Sequence, residues 1–115
     1  MKRVLIVDDS VFLRRSMRTM MEANGIEVIG EAENGQKALE MYKELKPDIV
    51  TLDITMPVMD GIEALKQLKL MDKNARVIIV SALGQETKVK EAVKAGAIAF
   101  IVKPFKADTL IKTLA

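Results

Sequence analysis

Short runs of aliphatic and β-branched residues alternate five times with stretches in which apolar positions recur every three or four residues. RVLIV (3–7) keeps its apolar residues consecutive, the pattern of a strand buried on both faces. Leu13, Met17, Met20 and Met21 follow at helical spacing, and Asn24-Gly25 supplies the stop. EVIGEA (27–32) is a more polar strand, suited to a sheet edge. GQKALEMYKELK (35–46) reads as the second helix, closed by Pro47, and DIVTLD (48–53) as a buried strand that ends in a carboxylate. Asp60-Gly61 opens a third helix that turns Ile62, Leu65 and Leu68 inward. RVIIVSA (76–82) is the fourth strand, ETKVKEAVKAG (86–96) a helix stopped at Gly96, and AIAFIV (97–102) the last strand. A short helix carrying Leu110, Ile111 and Leu114 completes the pattern.

Strands separated by helices pair in parallel, because each connection must cross back over the sheet. Right-handed crossovers then distribute the helices over both faces. The expectation is an α/β fold, a (βα)5 doubly wound parallel five-stranded sheet, as one domain over residues 1–115 with no linker or low-complexity segment. Ligands in such sheets bind outside the carboxyl ends of the strands, where the strand order reverses. In the flavodoxin-like order 2-1-3-4-5 that point lies between the first and third strands.

The same edge collects the chain's most conspicuous polar residues. Asp8 and Asp9 follow the first strand, Asp53 ends the third, Ser81 the fourth, and Lys103 comes after the fifth. Two carboxylates about 4 Å apart repel by roughly 4 kcal/mol at an effective dielectric of 20. A third would deepen a cost already large beside a domain stability of ~5–15 kcal/mol. Something cationic must compensate, and the candidates are Lys103 and an oxygen-bound divalent ion. Each residue taken alone has a plainer reading. Asp8 and Asp9 could form a helix N-cap and its neighbour, Asp53 a turn, and Ser81 a hydroxyl bonded to its own backbone. Their coincidence at one edge favours a site.

Composition narrows the chemistry. The 115 residues contain no Cys and no His, which excludes disulfides, thiolate zinc sites, Cys nucleophiles and Ser-His-Asp triads. A metal would therefore be held by oxygen, which favours Mg2+, Mn2+ or Ca2+ over zinc. Net charge is only +2, with one Tyr and three Phe, so nucleic acid is not an expected direct partner. The first apolar run is cut short by Asp8 and Asp9, and no run approaches the ~20 residues of a membrane span. The expected location is cytoplasmic, away from any membrane. Met1, Met17, Met20, Met21, Met41, Met56, Met59 and Met71 read mainly as core filling. On the fourth helix, Lys88, Lys90, Glu91 and Lys94 are expected outward, with Val89 and Val93 sharing a stripe.

LIVDDS, DIVTLDITMPVMDG, VIIVSA and FIVKPF, in that order and spacing, resemble the receiver domain of two-component response regulators across essentially the whole chain. DITMP followed by SALGQE is most similar to the single-domain chemotaxis members of that family. The resemblance implies a phosphorylation-dependent switch in which Asp53 accepts a phosphoryl group from a sensor histidine kinase, with Mg2+ as cofactor. It makes Asp9, Asp53 and the Thr55 carbonyl the metal ligands, with Asp8 acting through a bound water. Lys103 and Ser81 would attend the phosphoryl group, and Ser81 with Phe100 would form the switch. Lys103-Pro104 would be a cis peptide. The resemblance also implies a changing face on the fourth helix, fifth strand and fifth helix, read by a flagellar switch protein or an output domain, and a phosphatase as a further partner. The chain would be no enzyme in its own right, accepting phosphoryl from a donor and losing it slowly.

Rival readings are a receiver cut from a longer regulator, a phosphohydrolase of the haloacid dehalogenase type, and a flavodoxin-like cofactor binder. The hydrolases want an acid two residues after the nucleophile, where this chain has Thr55. No Ser/Thr-rich phosphate loop follows the first strand, and Asp8 and Asp9 would repel a phosphate that lacked metal.

Overall fold

β1 (Arg3–Val7) is an inner strand of the sheet in the computed structural model, which describes residues 2–115. Met1 lies outside the described residues. The chain continues through α1 (Val11–Glu22), β2 (Glu27–Ala32), α2 (Gly35–Leu45), β3 (Ile49–Leu52), α3 (Gly61–Met71), β4 (Val77–Ser81), α4 (Glu86–Lys94), β5 (Ala99–Val102) and α5 (Ala107–Leu114). All four strand pairings are parallel, in the order β2-β1-β3-β4-β5. The expected fold and order are both present, and the polar strand β2 is at an edge.

Side-chain alternation divides the core into two layers. Leu5, Val7, Val50, Leu52, Val77 and Ile79 face α2, α3 and α4. Val4, Ile6, Ile49, Ile78, Val80 and Ile101 face α1 and α5, meeting Met17, Met21, Leu110 and Leu114. The central strands are buried on both sides, which explains why they read as unbroken apolar runs.

Three helices begin on side-chain caps: the Ser10 hydroxyl accepts from the Leu13 N–H, Asn34 Oδ1 from Lys37 and Asp60 Oδ1 from Glu63. Because Ser10 caps α1, Asp8 and Asp9 are not spent on capping. Gly61 opens α3 for a steric reason. A Cβ there would sit 1.9 Å from the Asp53 carbonyl oxygen, and the Gly61 N–H donates to the Ile54 carbonyl at 2.8 Å. Only glycine lets α3 start so close to the backbone of Asp53.

Some boundaries differ from expectation. β3 and β4 are each one residue shorter at both ends than the runs 48–53 and 76–82. β5 begins at Ala99 and not at Ala97, because Gly96 turns the chain at a φ of 106° and Ala97 still donates to the Ala92 carbonyl. On α4 the inward residue is Ala92, while Val93 is 59% exposed and Lys88 is half-buried. Glycine and alanine at 96, 95 and 92 bring this helix in through small residues, so its larger valines do not mark the core face.

Candidate functional site

The carboxyl ends of β1, β3 and β5 bring Asp8, Asp53 and Lys103 together from positions that are far apart in sequence. The Asp8 N–H donates to the Ala32 carbonyl at 3.0 Å and the Asp53 N–H to the Val7 carbonyl at 3.0 Å, so the sheet ladder itself places both acids. Both are buried, at 2% and 5% exposure, while Asp9 beside them is exposed.

Asp8 is held at both oxygens. Oδ1 accepts from the Ser10 N–H at 2.9 Å, and Oδ2 lies 2.8 Å from the Lys103 ammonium. Asp53 Oδ1 accepts from the Ile54 N–H at 2.8 Å, and its Oδ2 is 3.3 Å from Lys103. Among the described residues the Asp9 carboxylate has no hydrogen-bond or ion-pair partner. The Lys103 backbone N–H donates to the Ser81 carbonyl at 2.9 Å, and the Lys103-Pro104 peptide is cis.

Burial pushes the Asp53 carboxyl above its ordinary range; Lys103 opposes this, and the neighbouring Asp8 adds to it. Burial alone would lower the Lys103 ammonium, but the Asp8 hydrogen bond and the charges of both carboxylates outweigh it and raise the group. One ammonium is therefore shared by two buried acids, and a third acid stands beside them without a counter-charge.

That arrangement suits a hard cation. Asp8, Asp9 and Asp53 each offer a carboxylate oxygen within 4.8 Å of the others, an all-oxygen donor set. Asp9 is the readiest ligand, since among the described residues its carboxylate has no hydrogen-bond or ion-pair partner, whereas both oxygens of Asp8 and of Asp53 have one, with Lys103 closer to Asp8 than to Asp53. Thr55 lies two residues beyond Asp53 and is exposed.

Ser81 and Phe100 stand together on the other side of the sheet. Ser81 alternates with Ile79 and Val77, and Phe100 packs against the layer that contains both. The register pairs Ile79 with Phe100 and Ser81 with Val102. Ser81 is fully buried, and its hydroxyl accepts from the Leu83 N–H at 3.1 Å, which ties it to the loop before α4. Phe100 is half-buried.

Several residues at the site carry no signal in the sequence pattern. Arg14 donates from Nη1 to the Asp8 carbonyl and from Nε to Glu31 at 3.0 Å. Glu31 also takes Arg18 Nε at 2.8 Å. Val58, in the loop after Asp53, adopts a φ of 70° and is 82% exposed. The Thr51 hydroxyl is buried with no partner among the described residues, two positions before Asp53.

Comparison with known proteins agrees with this geometry. Residues 4–115 match the response regulator receiver domain family. The chemotaxis protein CheY of Thermotoga maritima is 55% identical over 113 residues, which cover 98% of this chain and 94% of that protein. CheY of Bacillus subtilis is 54% identical over 112 residues, covering 97% and 93%. Among solved structures, the CheX-CheY-BeF3-Mg2+ complex from Borrelia burgdorferi contains a chain that superposes with a TM-score of 0.96 at 45% identity, covering 98% of this chain and 86% of that one.

Proposed function

This chain belongs to the response regulator receiver family, and on that premise we propose that it is a phosphorylation-dependent signalling switch with Asp53 as phosphoacceptor. The observation that supports this most is the grouping of Asp8, Asp9 and Asp53 at the switch point of the sheet, with a single ammonium shared by Asp8 and Asp53.

A carboxylate oxygen of Asp53 attacks the phosphorus of a phosphohistidine on a sensor kinase. The P–O bond forms as the P–N bond breaks, and the imidazole leaves with the electron pair. The donor must come from outside, because the chain has no His. Asp9, Asp53 and the Thr55 carbonyl would hold Mg2+, with Asp8 contributing through a water. When bound, Mg2+ supplies the positive charge that offsets the acids and the transferring phosphoryl oxygens. Lys103 stands ready to pair with the phosphoryl group from its place beside Asp8 and Asp53. Burial of Asp53 excludes water from the nucleophile, and Thr55 offers no acid to drive hydrolysis, so turnover is slow and the haloacid dehalogenase reading is disfavoured.

The signal leaves through the opposite face of β4 and β5. Moving the Ser81 hydroxyl from the Leu83 N–H toward the phosphoryl group changes the packing around Phe100, and with it the surface of α4, β5 and α5. Val93, Ile98 and Val102 are already exposed there, at 59%, 49% and 48%. The similarity to CheY proteins favours a cytoplasmic role in chemotaxis, with a flagellar switch protein as target and a phosphatase to reset the switch. Phosphorylation would bias an existing two-state equilibrium.

The test is mass measurement after incubation with Mg2+ and acetyl phosphate. The parent should gain one phosphoryl group, mapped to Asp53, and Asp53→Asn none. Sustained release of phosphate from monoesters would instead identify a hydrolase.

A further inference from the structure

Among the described residues Asp9 is the one acid of the three whose carboxylate has no hydrogen bond or ion pair, so its placement comes through the backbone. The Asp8–Asp9 peptide is planar, and the direction of the Asp8 carbonyl therefore fixes the plane from which Asp9 departs. That carbonyl accepts from Arg14 Nη1 on α1. Arg14 is itself anchored, because its Nε donates to Glu31 Oε1 at 3.0 Å and its side chain is only 11% exposed. Glu31 and Ala32 are consecutive on β2, and Ala32 takes the Asp8 N–H. The edge strand thus grips Asp8 at both ends, directly at the N–H and through Arg14 at the carbonyl. The planar guanidinium suits this task, since it donates in two directions from one rigid group, which an ammonium on a flexible stem cannot do.

Glu31 is a firm anchor. Burial alone would raise its carboxyl, but the hydrogen bonds from Arg18 and Arg14 outweigh burial and hold it below the ordinary glutamate range.

We propose that Arg14, anchored by Glu31, is a positioning residue for the cation site: it orients the Asp8–Asp9 peptide and so presents Asp9 toward Asp53. This rests on the reading of the acid cluster as a Mg2+ site. Simple electrostatics makes the opposite prediction, which gives the proposal a sharp test. Removing a cation near three acids should strengthen Mg2+ binding, whereas removing a positioning residue should weaken it.

The experiment is calorimetric titration of the full chain with Mg2+, with circular dichroism to confirm folding of each variant. Arg14→Met is expected to weaken binding by about 10- to 100-fold, the usual effect of losing a group that orients a metal ligand. Arg14→Lys, which keeps the charge but not the two-way grip, should weaken it as well. Arg18→Met makes the same charge change and also frees one Glu31 oxygen, yet leaves the Asp8 carbonyl bond, and should bind like the parent. Arg14→Lys also serves if Arg14→Met does not fold, since electrostatics predicts no change for it. Parent-like or tighter binding by folded Arg14→Met, or by Arg14→Lys in its place, overturns the proposal while leaving the site reading intact. A parent that takes up no Mg2+ overturns both.

Discussion

The Lys103 ammonium lies 2.8 Å from Asp8 Oδ2, joining two residues 95 positions apart at the rim of the sheet. The same ammonium is 3.3 Å from Asp53 Oδ2, so it compensates two buried carboxylates at once. Removing one partner of a buried pair leaves the other charge uncompensated, at a cost of about 3 kcal/mol. Lys103→Met should therefore lower metal-free stability by about that amount, measured by urea denaturation. Added Mg2+ should recover more stability in this variant than in the parent. An unchanged denaturation midpoint would show that the ion pair is incidental.

Tyr42 gives a pH signature remote from the site. Its hydroxyl donates to Asp72 Oδ2 at 2.8 Å, and burial, then the Asp72 hydrogen bond and charge, push it from 10.0 to about 12. The folded chain thus keeps a proton that the unfolded chain releases. The stabilisation is complete below the unfolded value and is lost as pH rises from 10.0 to about 12. Tyr42 is the sole tyrosine and there is no tryptophan, so phenolate absorbance reports on it alone. Asp72→Asn should bring the titration part of the way back, because burial remains. A parent phenol that titrates at the ordinary value would contradict this environment.

Among the described residues the buried Thr51 hydroxyl, set between Ile6 and Ile78 in the sheet register, has no partner. An unsatisfied buried polar group costs about 1–3 kcal/mol, so Thr51→Val should stabilise the chain by about 1 kcal/mol. Phosphorylation of Asp53 should be unaffected. Thermal denaturation checks the first expectation and mass measurement the second.

Val58 sits at the centre of a γ-turn with a φ of 70°, closed by the Met59 N–H donating to the Pro57 carbonyl at 2.7 Å, a positive-φ conformation unfavourable for a β-branched residue by roughly 1–2 kcal/mol. Asparagine tolerates that region, and the side chain is exposed, so little packing is lost. Val58→Asn should raise stability by about 1 kcal/mol in thermal denaturation. A fall would mean that the valine side chain supports the loop after Asp53.

The sheet and its acid cluster were legible for one reason. In a parallel sheet all strands end at the same edge, so reading the residue after each apolar run places Asp8, Asp53, Ser81 and Lys103 side by side without any knowledge of contacts. Contacts that depend on the height and rotation of a helix were not legible. Arg14 and Glu31 are 17 positions apart on a helix and an edge strand, and both read as ordinary surface charges. Ala92 is illegible for a different reason: alanine gives a weak hydrophobic signal beside the larger Val89 and Val93. The tight fit at Gly61 shows in sequence only as a helix-opening Asp-Gly, while its cause is the Asp53 carbonyl against which α3 begins.

The proposed gathering of three acids around a divalent cation beside the Asp53 carboxylate is put to the test most directly by titration calorimetry with Mg2+ on the parent and on Asp9→Asn. The parent should bind one Mg2+ in the millimolar range or tighter. Asp9→Asn should lose that binding while gaining metal-free stability, since a like charge has been removed from Asp8 and Asp53. No uptake by the parent, or equal uptake by Asp9→Asn, would contradict the account.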